Sequence, residues 1–219
     1  MAEIRYYNPS NIFVNNNRPE RMAGAANFAL ARSFVLSRDI HDNRAYVTNA
    51  GAVALYHRNG IIKYMDKEYD AISDRIEGTT YGHTERKLIM DLLDDLISTN
   101  PNDKFRVPRL KSIQWRDGQQ AALEYLTDNA AMYKRYLEEK GIIVKMWSER
   151  KPCNYTYEGG PCEDFLRNIC PEGSQIGYIV ENHRAPEEEV QATFEELENA
   201  YQAWKASKKK KRRINRCFI

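Results

Sequence analysis

The stretch Ile142-Ile143-Val144-Lys145-Met146-Trp147 constrains this chain most. A nearly continuous run of β-branched and apolar residues reads as a central strand buried on both faces, and such a strand needs a sheet covered by other layers. Residues 176–180 have the same character. Helical patterns surround both runs. Leu88, Ile89, Leu92, Leu93, Leu96 and Ile97 form an apolar face of i, i+4 pairs that Pro101 ends. Phe165 and Leu166 fall in a short helix; Val190, Phe194, Leu197, Tyr201 and Trp204 recur at steps of four and three after Pro186 and three glutamates.

Residues 1–17 have no periodicity and read as an extended or poorly ordered lead-in. Asn17 and Pro19 open a helix to about residue 37, and the β-prone stretches 52–57 and 61–65 flank Asn59-Gly60, a tight hairpin signal. Residues 66–81 read as polar connection. Residues 101–140 read as an insertion: a brief extended piece at Ile113 and Trp115, then one helix from a capping box at Asp117 and Gln120 to about residue 139. The order predicts an α/β fold, a three-layer-like sandwich of a mixed four- to five-stranded sheet with helices on both faces. The expected organisation is a lead-in and helix at 1–44, a main domain at 45–204 carrying the insert, and a basic tail at 205–219.

The formal charge of +2 conceals an asymmetry, because eight of the 33 basic residues lie at or beyond Lys205 and no acid follows Glu198. Residues 1–204 therefore carry 25 bases against 31 acids, about −6. A basic tail of this kind predicts sequence-independent contact with phosphates, or charge compensation for the body. No run of 18 apolar residues and no apolar leader occurs, so neither a membrane span nor a secretory signal is expected. The expected location is the cytoplasm. Four clustered cysteines are too few for a disulfide framework in 219 residues, which favours metal ligation for two of them.

The chemistry concentrates in Tyr81-Gly82-His83-Thr84-Glu85 and in Pro152-Cys153 and Pro161-Cys162. One imidazole and two thiolates are three ligands for a single Zn²⁺, leaving a fourth tetrahedral position for water, and Glu85 is the candidate proton carrier. Positions 83 and 85 stand roughly 200° apart on an ideal helix, so both side chains share one pocket only where the helix is just starting. Cys170, about 12 Å along a helix from Cys162, cannot join them. Cys153 and Cys162 could instead be ordinary buried thiols or a disulfide, and Cys153 could be a nucleophile with His83 as its base.

Residues 83–85, 152–153 and 162 resemble the zinc-dependent nucleic acid and nucleotide (cytidine) deaminase superfamily, whose signature is H-x-E followed by P-C-x-x-C. Trp147-Ser148-Glu149-Arg150 before Pro152-Cys153, and Cys162-Glu163-Asp164-Phe165-Leu166 after, look most like its bacterial toxin branch. The resemblance spans about residues 45–182. It implies a cytidine deaminase-like five-stranded sheet, zinc on His83, Cys153 and Cys162, and Glu85 as proton shuttle. It further implies hydrolytic deamination of a base and, in the toxin branch, delivery into a target cell by a specialised route and an immunity protein as partner. The expected reaction is conversion of cytosine to uracil in single-stranded nucleic acid, DNA rather than RNA. Two departures stand out: eight residues rather than two separate the cysteines, and an insert of about forty residues follows the helix that starts at His83. His183 and Arg184 fall where the family contacts the neighbouring nucleotide. Tyr155 and Tyr157 could stack on a base, and Asn49 could bond substrate. A free nucleoside or nucleotide deaminase and a non-catalytic nucleic-acid-binding module with structural zinc are the alternatives.

Overall fold

The segment after His83 forms helix α1 (Thr84–Thr99), more deeply enclosed than a one-sided stripe requires. Leu88, Ile89, Leu92 and Leu93 are fully buried, and Thr84, Glu85, Arg86 and Asp94 are buried with them. A helix covered on nearly all sides belongs inside a core. The computed structural model describes residues 2–9, 46–47, 53–54, 60–64, 67–71, 79–99, 107–154, 156–182 and 185–216. The helix expected near 17–37 lies outside them.

Strands β1 (Glu3–Tyr6), β4 (Gly60–Tyr64), β5 (Lys67–Ala71), β6 (Lys145–Arg150) and β7 (Gln175–Val180) form one sheet in the order β1-β7-β6-β4-β5. Helix α5 (Cys162–Ile169) joins β6 to β7, the crossover that parallel neighbours require. With helices α2 (Leu110–Asp117), α3 (Gln119–Asp128) and α4 (Ala130–Glu139), the chain is a mixed α/β protein. α1 touches β4, β5, α2, α3 and α5, and α4 packs on α5.

Several expectations are corrected. Among the described residues, the two stretches expected to pair across Asn59-Gly60 have other partners: β3 (Val53–Ala54) pairs with β2 (Tyr46–Val47), and β4 pairs with β5, Tyr64 opposite Lys67. Lys67, Glu68 and Asp70 hid β5 as a connection, yet charge suits an edge strand because it discourages pairing with other chains. In the lead-in, β1 supplies the opposite edge, and the Glu3 amide donates to the Ser174 carbonyl at 2.8 Å. The 142–147 run is not buried on both sides. Ile142, Val144, Met146 and Ser148 are buried while Ile143 and Lys145 are exposed, the alternation of a half-covered sheet. β7 keeps the expected pattern, with Gln175 alone exposed.

Among its described residues the insert forms three helices, and Ile113 and Trp115 lie in α2 rather than in an extended piece. Leu110 and Ile113, three apart, face inward while Trp115 is 91% exposed, a helical spacing. Asp94 of α1 accepts the Lys111 amide at 3.0 Å and so caps α2 from outside. Gly118, at φ +94°, ends α2, and Asn129, at φ −109° and ψ 21°, divides the single helix expected beyond it. The Asp117 carboxylate bonds Arg116 at 2.7 Å, and no side chain caps α3.

The chain forms two compact units, Met1–Arg5 with Arg58–Tyr178 and Tyr6–His57 with Ile179–Ile219. α1 to α5 lie in the first. The second holds the β2-β3 ladder and helix α6 (Glu187–Arg216), where Val190 and Leu197 are fully buried and the Tyr201 and Trp204 rings lie 5.7 Å apart. α6 is longer than expected, because most of the basic tail is its last three turns.

Candidate metal centre

Three segments of the first unit converge at helix starts. His83 immediately precedes α1, and its carbonyl accepts the amides of Arg86 and Lys87 at 3.2 and 3.3 Å. Cys162 is the first residue of α5, after Pro161 in extended conformation (φ −60°, ψ 140°). Cys153 follows β6 through the buried Pro152, and its carbonyl accepts the Glu163 amide at 3.3 Å. Two helix N-termini thus bring their positive ends to the place where two sulfurs and a carboxylate gather.

The His83 Nδ1 lies 3.2 Å from the Cys162 Sγ and 3.3 Å from the Cys153 Sγ, and all three donor atoms fall within 4.8 Å of one another. Zinc bond lengths of about 2.3 Å to sulfur and 2.1 Å to nitrogen put tetrahedral S···N edges at about 3.6 Å. The cluster therefore has to open by only a few tenths of an ångström, and it can hold a metal ion such as zinc. Among the described residues, no fourth His, Cys, Asp or Glu joins the group. Three protein donors is the number that a catalytic zinc takes, whereas a structural zinc takes four.

The electrostatics suit a cation. The Cys162 thiol bonds to Cys153, His83 faces it as well, and together they overcome burial to pull the Cys153 thiol down to about 4. The same bond, with burial, holds Cys162 well above the ordinary thiol range. Burial lowers the His83 imidazole, but its contact with Cys153 and the charges of Cys153 and Glu85 more than reverse that. Glu85 is 6% exposed, and burial raises its carboxyl above the usual range.

Arg86, fully buried, is the member that sequence reasoning missed. Its Nη1 donates to the Cys162 Sγ at 3.1 Å and to the Thr80 carbonyl at 3.2 Å. Nη2 donates to the carbonyls of Gly159 and Gly160, and Nε to the Thr127 hydroxyl at 3.2 Å. Those five acceptors match the five N–H groups of a guanidinium. The guanidinium carbon also sits 4.7 Å from the centre of the Phe165 ring. A signal was present: Ile89, Met90, Leu93 and Ile97 follow Arg86 at helical spacing, so its position lies on a buried stripe.

No family model, curated protein or solved structure matches the chain. Its chemistry therefore rests on the centre itself.

The long loop between the cysteines is tied down. Thr79 bridges Glu158, the Thr80 amide donates to the Glu158 carbonyl at 2.9 Å, and the Thr80 hydroxyl donates to the Gly160 carbonyl at 2.6 Å. Gly159 has φ +87°, and a Cβ there would lie 2.8 Å from the Tyr81 ring. Of the other candidate residues, Tyr157 sits on this loop, 52% exposed; Asn49, Tyr155, His183 and Arg184 lie outside the described residues. Cys170 is fully buried, and burial pushes its thiol up to about 12, which makes it inert.

Proposed function

We propose that this chain is a zinc-dependent hydrolytic deaminase that converts cytosine to uracil in single-stranded nucleic acid, with a cytidine deaminase-like sandwich as its scaffold. The observation that carries the reading is a three-donor group of His83, Cys153 and Cys162 with a buried carboxyl two residues along from the histidine. Zinc held by these three residues would supply a water acidic enough to yield hydroxide near neutral pH. The Glu85 carboxylate would take a proton from that water and pass it to the ring nitrogen, then carry a second proton, from the newly added hydroxyl, to the departing amine; water and cytosine would become uracil and ammonia. Its raised pKa suits that exchange, since a group titrating nearer neutrality both accepts and gives up a proton. Arg86 keeps the Cys162 sulfur in place and offsets the negative charge of the thiolates.

A single strand is favoured because a base in a duplex must first be flipped out, at about a few kcal/mol. The residues around both cysteines support the toxin branch, which would make the chain an effector met in its producer by an immunity protein. The contact of Cys153 with His83 at 3.3 Å favours a second reading, a cysteine nucleophile with its base. A dyad has no use for a second sulfur on the same imidazole nitrogen, which is why the metal reading comes first.

The deciding experiment combines metal analysis with sequencing of a mixed single-stranded oligonucleotide pool after incubation. About one zinc per chain and C-to-T changes are expected, and Glu85→Ala should keep the zinc while losing about 10²–10⁴ in rate. Activity without metal would establish the dyad. Turnover of free cytidine alone would establish the nucleoside reading, and zinc with no deamination of any substrate would leave a binding module.

A further inference from the structure

We infer that the last three turns of α6 are a docking face for the phosphate backbone of nucleic acid, separate from the metal centre. α6 runs unbroken from Glu187 to Arg216, and charge divides along it. Every charged residue from 187 to 204 is acidic, and every one from 205 to 216 is basic. On that helix Lys205, Lys208, Lys209, Arg212, Arg213 and Arg216 stand at i, i+3, i+4, i+7, i+8 and i+11. At about 100° per residue these six positions share an arc of roughly 140°, so the helix turns a basic run into a stripe.

The stripe extends over about 16 Å at 1.5 Å per residue. A nucleic acid strand in duplex form carries a phosphate every 3.4 Å or so, about five over that length, which matches six cations. No acid lies within four positions of any of the six on the same helix. Like charges at i, i+4 disfavour the helix they sit on, and a polyanion laid along them removes the repulsion. An anionic membrane is the weaker fit. The opposite side carries Ala206, Ser207, Lys210, Lys211 and Asn215, with Ile214 the one large apolar residue, whereas a membrane-surface helix needs a broad apolar face.

The test uses the full chain and a fluorescein-labelled 30-nucleotide single strand of mixed sequence, followed by anisotropy at 50–200 mM NaCl. Five to six phosphate contacts predict a log–log salt slope of about −3.5 to −4, hence about a 100- to 300-fold loss of affinity over that range. Replacing all six stripe residues with glutamine should bring the slope close to zero. Redistributing the same six bases evenly around the helix should weaken binding at least tenfold, at unchanged net charge. Helical circular dichroism should rise when the strand is added to the wild-type chain. Wild-type affinity and slope in the glutamine variant would overturn the proposal, as would undiminished binding by the redistributed variant. Tighter capture by vesicles containing anionic lipid than by the oligonucleotide would overturn it in favour of a membrane. Zinc content, unchanged in both variants, excludes misfolding of the centre. The same titration on Glu85→Ala separates this inference from the deaminase reading, because phosphate binding survives there whether or not the enzyme reading stands.

Discussion

At the scale of single residues, Arg86 shows how a charge can be buried without exacting its full desolvation penalty. A cation in the first turn of a helix opposes the helix dipole, and an isolated buried ion costs several kcal/mol. Five bonded N–H groups and the Phe165 ring offset both. Arg86→Met should therefore destabilise the fold by about 3–5 kcal/mol in urea unfolding, since it strands buried carbonyls and the Cys162 sulfur together. Arg86→Lys should recover only part of this, because an ammonium has three donors and no planar fork. A loss below about 1 kcal/mol for the methionine variant would mean that those bonds do not form. Asp94 makes a second test. One carboxylate oxygen accepts the Lys111 amide, the other is buried with no partner, and burial raises the group's pKa above its ordinary value. The folded state thus binds this proton more tightly than the unfolded chain, so the contribution is complete below the ordinary carboxylate range and is lost as pH rises through the folded value. Asp94→Asn keeps an acceptor for the amide without the titration. Its unfolding midpoint should fall less between pH 4 and pH 8 than that of the wild type.

At the scale of elements, the loop between the cysteines decides whether the second sulfur reaches the first. Eight intervening residues would leave Cys162 free to wander, but Thr80 and Arg86 hold the carbonyls of residues 158–160. Two neighbouring glycines in that loop separate crowding from backbone conformation. Gly159→Ala combines a left-handed φ with a Cβ 2.8 Å from the Tyr81 ring, and should cost about 2–4 kcal/mol and reduce zinc affinity at least tenfold. Gly160→Ala, at φ +69° with open space around the new methyl, should cost only about 1 kcal/mol. Equal effects in calorimetry and zinc titration would mean that the packing of Gly159 against Tyr81 does not matter. Thr127 draws the insert into the same network. Its hydroxyl accepts from the Arg86 Nε and donates to the Leu123 carbonyl, so α3 helps to build the site.

At the scale of the molecule, a metal on residues 83, 153 and 162 closes long stretches of chain, and its binding free energy becomes folding free energy. Zinc at 100 times its dissociation constant should stabilise by about 2.7 kcal/mol, which is about 5–10 °C in melting temperature at this size. Calorimetry with zinc and with a chelator checks the shift, and Cys153→Ser should abolish it. Among the described residues, no helix is long and apolar enough to cross a membrane. The buried apolar side chains gather in a core around α1. Helical periodicity located α1 and a continuous apolar run located β7, because each buries a side-chain pattern that leaves its mark in the order of residue types. Residue chemistry likewise singled out the imidazole and two sulfurs that meet. Periodicity failed for β5, whose edge position tolerates charge, and for the partners of β3 and β4, because pairing is settled between strands rather than within one. Arg86 escaped notice for a related reason: the carbonyls, hydroxyl and sulfur that allow it to be buried come from separate parts of the chain. Sequence by itself set which residues could bind a metal and which faces had to be covered. Only the tertiary structure decided that those residues meet and that a guanidinium could lie dry beside them, because desolvation is offset by partners that exist only once the chain has closed.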